Sequence, residues 1–83
     1  MTEILLQLRP LFTRVLGLDE VSPDERFIDI VPDELDRLDF FISVEEEFGV
    51  DFSDDDLDHF TIVADLVTRI ETLTKGESTH GAR

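Results

Sequence analysis

Carboxylates are the most abundant chemically active groups in this chain, and one cluster of them has roughly the spacing of a calcium-binding loop. The cluster comprises Asp51, Ser53, Asp55 and Asp56. An EF-hand loop counted from Asp51 needs glycine at its sixth position and glutamate at its twelfth, where this sequence has Asp56 and Ile62. We therefore exclude an EF-hand and predict no dedicated metal site. Weak binding of divalent cations remains an alternative, because the carboxylates of a chain with net charge −14 repel one another and bound cations would reduce this repulsion.

Catalytic groups of other kinds are scarce. The chain has no cysteine and two histidines, His59 and His80, which excludes thiol catalysis, cysteine–zinc sites and iron–sulfur clusters. The acidic runs 45–47 and 54–56 have no nucleophile or basic group beside them in a pattern typical of acid–base catalysis. A solvated acidic surface explains both runs better, so the sequence predicts a protein that is not an enzyme.

The charge balance restricts the partners. The chain has 83 residues, with 7 Lys and Arg against 21 Asp and Glu, so nucleic acids and anionic membranes, which are polyanions, are not expected as partners. A content of 41% hydrophobic and 34% charged residues predicts one small globular domain. The sequence has neither a recognisable signal peptide nor a transmembrane segment, and we expect a cytoplasmic location.

Helical periodicity begins at the start of the chain. Apolar residues at three- and four-residue spacing predict a first helix over about residues 3–16, with Gly17 as its C-cap. Pro10 lies inside this helix and predicts either a kink or a later helix start. Residues 17–32 form a long connection that we expect to pack as an ordered cover, because it contains the apolar residues Phe27, Ile28, Ile30 and Val31.

Capping residues locate the remaining helices. Asp33 can cap a second helix that ends at Gly49. Ser53 can cap a short helical turn, and Thr61 can cap a last helix. From Lys75 onward the composition is typical of a frayed tail.

The predicted fold is therefore all-α. It is a four-helix bundle of three main helices and one short helix, with a long loop after helix one. We expect one helical domain over residues 1–74, followed by a flexible C-terminal tail over residues 75–83.

The second helix is apolar over an unusually wide arc. Steps of 100° per residue give two adjacent apolar stripes that together span about 200°. One stripe is Phe40, Phe41, Val44 and Phe48, and the other is Leu35, Leu38 and Ile42. If the leucine stripe is partly exposed, its acidic surroundings make it a docking surface for a partner with an apolar groove and a basic rim. Burial of both stripes is the alternative, and the pattern alone favours it.

Elements in a fixed order carry a family resemblance. Leu16-Gly17 follows helix one, Phe27 lies in the loop, and an acidic motif opens helix two. Glu45-Glu46-Glu47-Phe48 closes helix two, and Phe52, an acidic turn and Phe60-Thr61-Ile62-Val63 follow. This order resembles the acyl carrier proteins over about residues 4–73, and the resemblance implies the predicted four-helix fold.

The resemblance also implies a function. Acyl carrier proteins carry acyl chains as thioesters on a phosphopantetheine arm attached to a serine, and their helix two docks on basic patches of partner enzymes. Carried over by position, the partner-contact residues are Asp33, Leu35, Asp36, Leu38, Asp39, Ile42 and Glu45.

The attachment residue departs from the family pattern. Asp33-Glu34-Leu35-Asp36 stands where the family has Asp-Ser-Leu-Asp, and a carboxylate cannot replace the serine hydroxyl in a stable phosphodiester. The sequence therefore predicts that Glu34 is unmodified and that the chain holds no phosphopantetheine. Glu34 has two explanations. It can stabilise the first helical turn by about 0.3–1 kcal/mol, or its charge can mimic the phosphate of a modified serine.

These observations lead to one hypothesis and two alternatives. The hypothesis is a non-carrying interaction module that docks through the acidic second helix, about residues 34–48, on an enzyme of fatty-acid, polyketide or related acyl metabolism. A genuine carrier is the first alternative, with serine engineered to Glu34 or with another hydroxyl modified. An acidic nucleic-acid mimic is the second, and the apolar row could also make a homodimer. The other hydroxyls considered are Ser22, Ser43, Ser53 and Thr61.

Overall fold

A computed structural model describes the backbone of residues 2–81 and the side chains of residues 3–74. Within these residues the secondary structure is helical, with one isolated bridge between Arg26 and Ile62. The prediction of an all-α fold is confirmed. The helices are α1, Thr2–Leu11, continued by a π-helical segment, Phe12–Leu16; α2, Phe27–Ile30; α3, Glu34–Phe48; α4, Asp54–His59; and α5, Val63–Gly81.

The first helix changes its hydrogen-bonding pattern after Pro10. Helix α1 begins at Thr2 and includes Pro10, so the alternative of a later helix start is wrong. Proline has no N–H to donate to the preceding turn, and a π-helical segment follows directly at Phe12. Gly17 ends this segment with φ +70°, a left-handed conformation that favours glycine. Its predicted role as a C-cap is confirmed.

The core forms where the phenylalanine stripe of α3 meets the other helices. Phe40 is fully buried and stacks on Phe12, with ring centroids 4.4 Å apart. Phe41 meets Phe27 edge-on at 5.2 Å. Because these rings come from α3, the π-helical segment and α2, they fix the rotation of α3 about its own axis. The other buried members of the cluster are Leu8, Leu11, Val21, Val44, Phe60, Val63, Leu66, Val67 and Ile70.

The long connection packs as the ordered cover that the sequence predicts. Its N–H and C=O groups bond to the start of α5: the Phe27 N–H donates to the Thr61 carbonyl at 3.0 Å, and the Val63 and Ala64 N–H groups donate to Glu25 and Pro23 carbonyls. These carbonyls satisfy helix donors that a capping side chain would otherwise satisfy. The predicted cap at Thr61 is therefore wrong.

The last helix extends further than the periodicity predicts. Helix α5 continues to Gly81, whereas the composition predicts a frayed tail from residue 75. The side chains of residues 75–83 lie outside the described part of the chain. The domain boundary after residue 74 and the flexible tail over residues 75–83 stay predictions.

Two substitutions on α3 test the rotation of this helix. Phe40→Ala empties a fully buried position and should lower the free energy of unfolding by about 3–5 kcal/mol. Leu35→Ala lies on the opposite, exposed side and should change it by less than about 0.5 kcal/mol. Urea denaturation followed by far-ultraviolet circular dichroism measures both. A large decrease in the free energy of unfolding caused by Leu35→Ala would contradict this orientation of α3.

Candidate functional site

The start of α3 is a capped helix end. Asp33 precedes the helix with extended backbone, and its Oδ1 accepts hydrogen bonds from the N–H groups of Leu35 and Asp36 at 2.8 and 3.3 Å. The predicted cap is confirmed. Glu34 is the first residue of the helix and is exposed. Its carboxylate therefore lies at the positive end of the helix dipole, where a negative charge is stabilising.

The second apolar stripe of α3 faces outward. Leu35 is 72% exposed, and Leu38 and Ile42 are each 44% exposed. We call these three residues the exposed row. The rotation of α3 that buries Phe40 and Phe41 turns this row away from the core. Partial exposure of the stripe is confirmed, and the alternative in which the core buries both stripes is wrong.

Acidic side chains beside the exposed row are of two kinds. Asp36 and Asp39 are exposed, and no hydrogen bond to either carboxylate occurs within residues 3–74. Asp33 and Glu45 already have structural partners: Asp33 caps α3, and the Glu45 Oε2 accepts a hydrogen bond from the Phe52 N–H at 2.7 Å. The sequence interpretation missed this structural contact of Glu45.

The cation of this helix is held by a backbone carbonyl. Arg37 is half-buried, and its Nη1 donates to the Val31 carbonyl at 2.6 Å. The guanidinium thus ties α3 to the end of the long connection. Because its cation is held there, the outer side of α3 presents carboxylates around apolar side chains, which complements a basic, partly apolar surface.

One exposed residue of this region was predicted wrongly. The sequence predicts that Ile28 packs down with the rest of the connection, but Ile28 is 61% exposed. Helix α2 is a single turn, so it buries Phe27 and leaves the next side chain outside. Ile28 lies with Leu38 on the wall of an open cavity of about 540 Å³ between α2, α3 and α4. Three apolar residues on one four-residue turn were the signal that one of them must be exposed.

Of the hydroxyl-bearing residues considered, Ser22, Ser43 and Ser53 lie outside the cavity that Glu34 lines, whereas Thr61 lines it as well. The Ser43 Oγ donates to the Asp39 carbonyl at 3.0 Å within the helix. The Ser53 Oγ accepts the Asp56 N–H in a capping box at the start of α4, which confirms its predicted capping role. The Ser22 Oγ accepts the Asp24 N–H at 3.4 Å in the long connection, and Thr61 lies just before α5.

Helix α4 is anchored to α5 by an ion pair. The Arg69 Nε lies 3.0 Å from the Asp56 Oδ1, and the Asp56 side chain is largely buried. Partial burial alone would raise the pKa of Asp56, but hydrogen bonds from Ser53 and the charge of Arg69 outweigh it, so the pKa is lowered. The ion pair therefore helps to hold the wall of the cavity that α4 provides.

His59 lies at the exposed end of α4. Its Nδ1 is 2.7 Å from the Asp55 carbonyl oxygen. This hydrogen bond, with the neighbouring carboxylates, raises the pKa of His59. The imidazolium form is thus favoured, as expected for a cation at a helix C-terminus.

The described residues also bear on membrane insertion and on metal binding. Among the described residues, no helix is long and apolar enough to cross a membrane. In the same part of the chain, no three His, Cys, Asp or Glu residues are grouped so that they could hold a metal ion.

The fold and site define a small acidic helical bundle in which α3 buries one apolar stripe and presents another to solvent. Comparison with known proteins identifies the class. A family described as "Phosphopantetheine attachment site" matches residues 7–70. An acyl carrier protein of Solidesulfovibrio magneticus is 43% identical over 65 residues, which cover 75% of this chain and 82% of the relative. An acyl carrier protein of Thermotoga maritima is 36% identical over 72 residues, which cover 83% of this chain and 89% of the relative.

The chain belongs to the acyl carrier protein family. Members of this family are carriers, not enzymes, which confirms that expectation. The position of Glu34 at the attachment site and the partner-contact residues stay predictions.

The ion pair between Asp56 and Arg69 predicts a pH dependence of stability. At pH 7, Arg69→Gln should lower the free energy of unfolding by about 1 kcal/mol, since the pair is only partly buried. The pKa of Asp56 is lowered in the folded protein, so its stabilisation is present above the unfolded pKa of about 3.9 and is lost as the pH falls through the folded pKa. Urea denaturation should therefore give the same difference in the free energy of unfolding at pH 7 and pH 5 and a smaller difference at pH 3.

A matched control is available for this measurement. Arg26 pairs with Asp29 at 3.0 Å, but both side chains are more than half exposed, so Arg26→Gln should leave the stability almost unchanged. A difference for Arg69→Gln that is the same at pH 3 as at pH 7 would contradict the role of the ion pair.

Proposed function

We propose that this chain is a non-carrying member of the acyl carrier protein family that docks through α3 on an enzyme of fatty-acid, polyketide or related acyl metabolism in the cytoplasm. It acts there as a regulator or structural subunit. The observation that carries the proposal is the exposed row Leu35, Leu38 and Ile42, 72%, 44% and 44% exposed, on the same helix that begins with Glu34.

The chemistry of residue 34 is the reason for proposing that nothing is carried. A phosphopantetheine arm is joined through a phosphodiester made on a hydroxyl oxygen. Glu34 offers a carboxylate, which would form a labile acyl phosphate instead. The residue present therefore does not fit the family's prosthetic group, and no transfer step is derived through it.

The contacts of α3 support docking. Covering the exposed parts of the row would contribute on the order of 1–2 kcal/mol for each side chain. Asp36 and Asp39 are free to meet basic groups, which would raise the association rate and select against acidic partners. Asp33 and Glu45 would contribute mainly by holding the ends of the surface, because their carboxylates already accept backbone N–H groups.

The same charges disfavour two other uses of the surface. A second copy of the chain would bring together two molecules of charge −14, which repel each other. A nucleic-acid mimic should space its carboxylates along an extended face, whereas here an apolar row lies between them. A basic enzyme surface is the partner that matches both features of α3.

A genuine carrier is the second candidate, and the family membership of the chain favours it. It would require modification of a hydroxyl other than position 34. Ser43 lies in the middle of α3, where its hydroxyl group donates to the Asp39 carbonyl, and Ser53 caps the short helix α4. Neither precedes an exposed apolar row like that of α3. These contacts favour the non-carrying reading.

Competition with a genuine carrier tests the docking. An excess of this chain should slow the modification of a genuine acyl carrier protein by a broad-specificity phosphopantetheinyl transferase, because both would dock through the same helix. Leu38→Ser/Ile42→Ser should raise the half-inhibitory concentration about tenfold, which corresponds to about 1.4 kcal/mol. Intact-mass spectrometry of the genuine carrier follows the reaction.

The control substitutes an apolar residue with similar exposure on another helix. Leu6 on α1 is 53% exposed, and Leu6→Ser should leave the half-inhibitory concentration within about twofold. Circular dichroism checks that all variants remain folded. Undiminished inhibition by the double variant, or no inhibition by the unaltered chain, would contradict docking through α3.

A further inference from the structure

The cavity between α2, α3 and α4 combines an aromatic floor with an apolar rim. Its volume is about 540 Å³. Phe27, Phe41 and Phe60 line the floor. The Phe41 ring lies between the other two, with its centroid 5.2 Å from each of theirs. Ile28 and Leu38 expose more than two fifths of their surface at the rim, which Leu57 of α4 completes. The cavity can therefore take a short aliphatic chain.

The charged groups at the cavity determine which chain it can take. Glu34, Asp54 and Asp58 line it with Arg37. No hydrogen bond or ion pair engages these three carboxylates within residues 3–74, whereas the Arg37 guanidinium is held by the Val31 carbonyl at 2.6 Å. The lining therefore has two negative charges more than positive ones, since three carboxylates meet one guanidinium. An aliphatic chain with an anionic head is disfavoured there, and one with a cationic head is favoured.

We propose that this cavity receives an arginine side chain of the docked partner. The three methylene groups of arginine would lie against Leu38 and Leu57, and its guanidinium would meet the carboxylates at the mouth. Guanidinium is better suited than ammonium, because it binds carboxylates through two parallel hydrogen bonds and also packs on aromatic rings. This inference rests on the proposed function, since the same helix α3 provides both Leu38 of the exposed row and Glu34.

The inference gives Glu34 a role that a serine could not fill. The residue stands at the edge of the cavity and at the first position of α3. Its carboxylate supplies one of the three anionic groups, so a glutamate in place of a serine would raise the excess negative charge of the lining from one to two. Glu34 would then be a specificity-determining residue for the partner.

Small analogues of the side chain test the cavity without a partner protein. The probe is n-propylguanidinium, with n-propylurea as its neutral isostere and hexanoate as an anionic aliphatic chain. Methyl NMR spectra of the intact chain should show n-propylguanidinium shifting the signals of Ile28, Leu38 and Leu57. Neither n-propylurea nor hexanoate should do so at the same concentration.

Two charge-neutralising variants separate a defined site from general attraction to an acidic protein. Glu34→Gln should raise the dissociation constant of n-propylguanidinium at least about threefold. Glu47→Gln makes the same charge change about 20 Å further along α3, outside the cavity lining, and should leave the constant unchanged.

Three results would overturn the inference. They are binding of n-propylurea or hexanoate as tight as that of the cation, an equal loss of affinity for n-propylguanidinium in both variants, and NMR signal shifts that spare the cavity methyl groups. Equal affinity for n-butylammonium would overturn the choice of arginine. These readings are independent of the transferase competition. Failure of the probes with intact competition would therefore reject the cavity inference alone. Failure of the competition with successful probes would reject docking, and with it a partner's arginine as the occupant, and would leave a cavity that binds cations.

Discussion

The structure depends on the stacking of Phe40 against Phe12 and the adjoining contact of Phe41 with Phe27. These contacts, at 4.4 and 5.2 Å, lock the rotation of α3. A helix with apolar residues over about 200° can bury only part of that arc in so small a bundle. Once the phenylalanine stripe is inside, Leu35, Leu38 and Ile42 are necessarily outside. The exposed apolar row is thus a consequence of core packing and needs no separate structural element.

Electrostatics then determines what the exposed face can meet. The carboxylates of Asp36 and Asp39 flank the apolar row, while the cation of the same helix, Arg37, is bound to the Val31 carbonyl. An apolar surface on a small monomer invites nonspecific association. A rim of one sign of charge favours association with basic surfaces and disfavours acidic ones.

Local signals made much of the fold predictable. Asp33, Gly17, Gly49 and Ser53 perform the capping roles that their residue types and positions predict, because capping depends on only a few neighbouring residues. The prediction of a cap at Thr61 failed because the start of α5 depends on distant residues. The N–H groups of its first turn donate to the carbonyls of Pro23 and Glu25, far away in the sequence. Periodicity could not reveal such a contact, since it describes one helix at a time.

The residues of the candidate site were predictable from the sequence, but their orientation was not. The two stripes of α3 were visible in the sequence, but which stripe faces the core depended on Phe12 and Phe27 from other elements. The exposure of Ile28 and the hydrogen bond from Phe52 to Glu45 are likewise tertiary. Glu34 was conspicuous from the sequence because the resemblance predicts a serine at that position.

The most direct test of the central claim is the intact mass of two chains after incubation with coenzyme A and a broad-specificity phosphopantetheinyl transferase. The chain with Glu34 should keep its mass. The Glu34→Ser variant should gain one phosphopantetheine arm, because it retains the exposed row and the start of α3 and supplies the hydroxyl group. A genuine acyl carrier protein serves as the positive control. A mass gain by the unaltered chain would contradict the account by showing that another hydroxyl carries the arm.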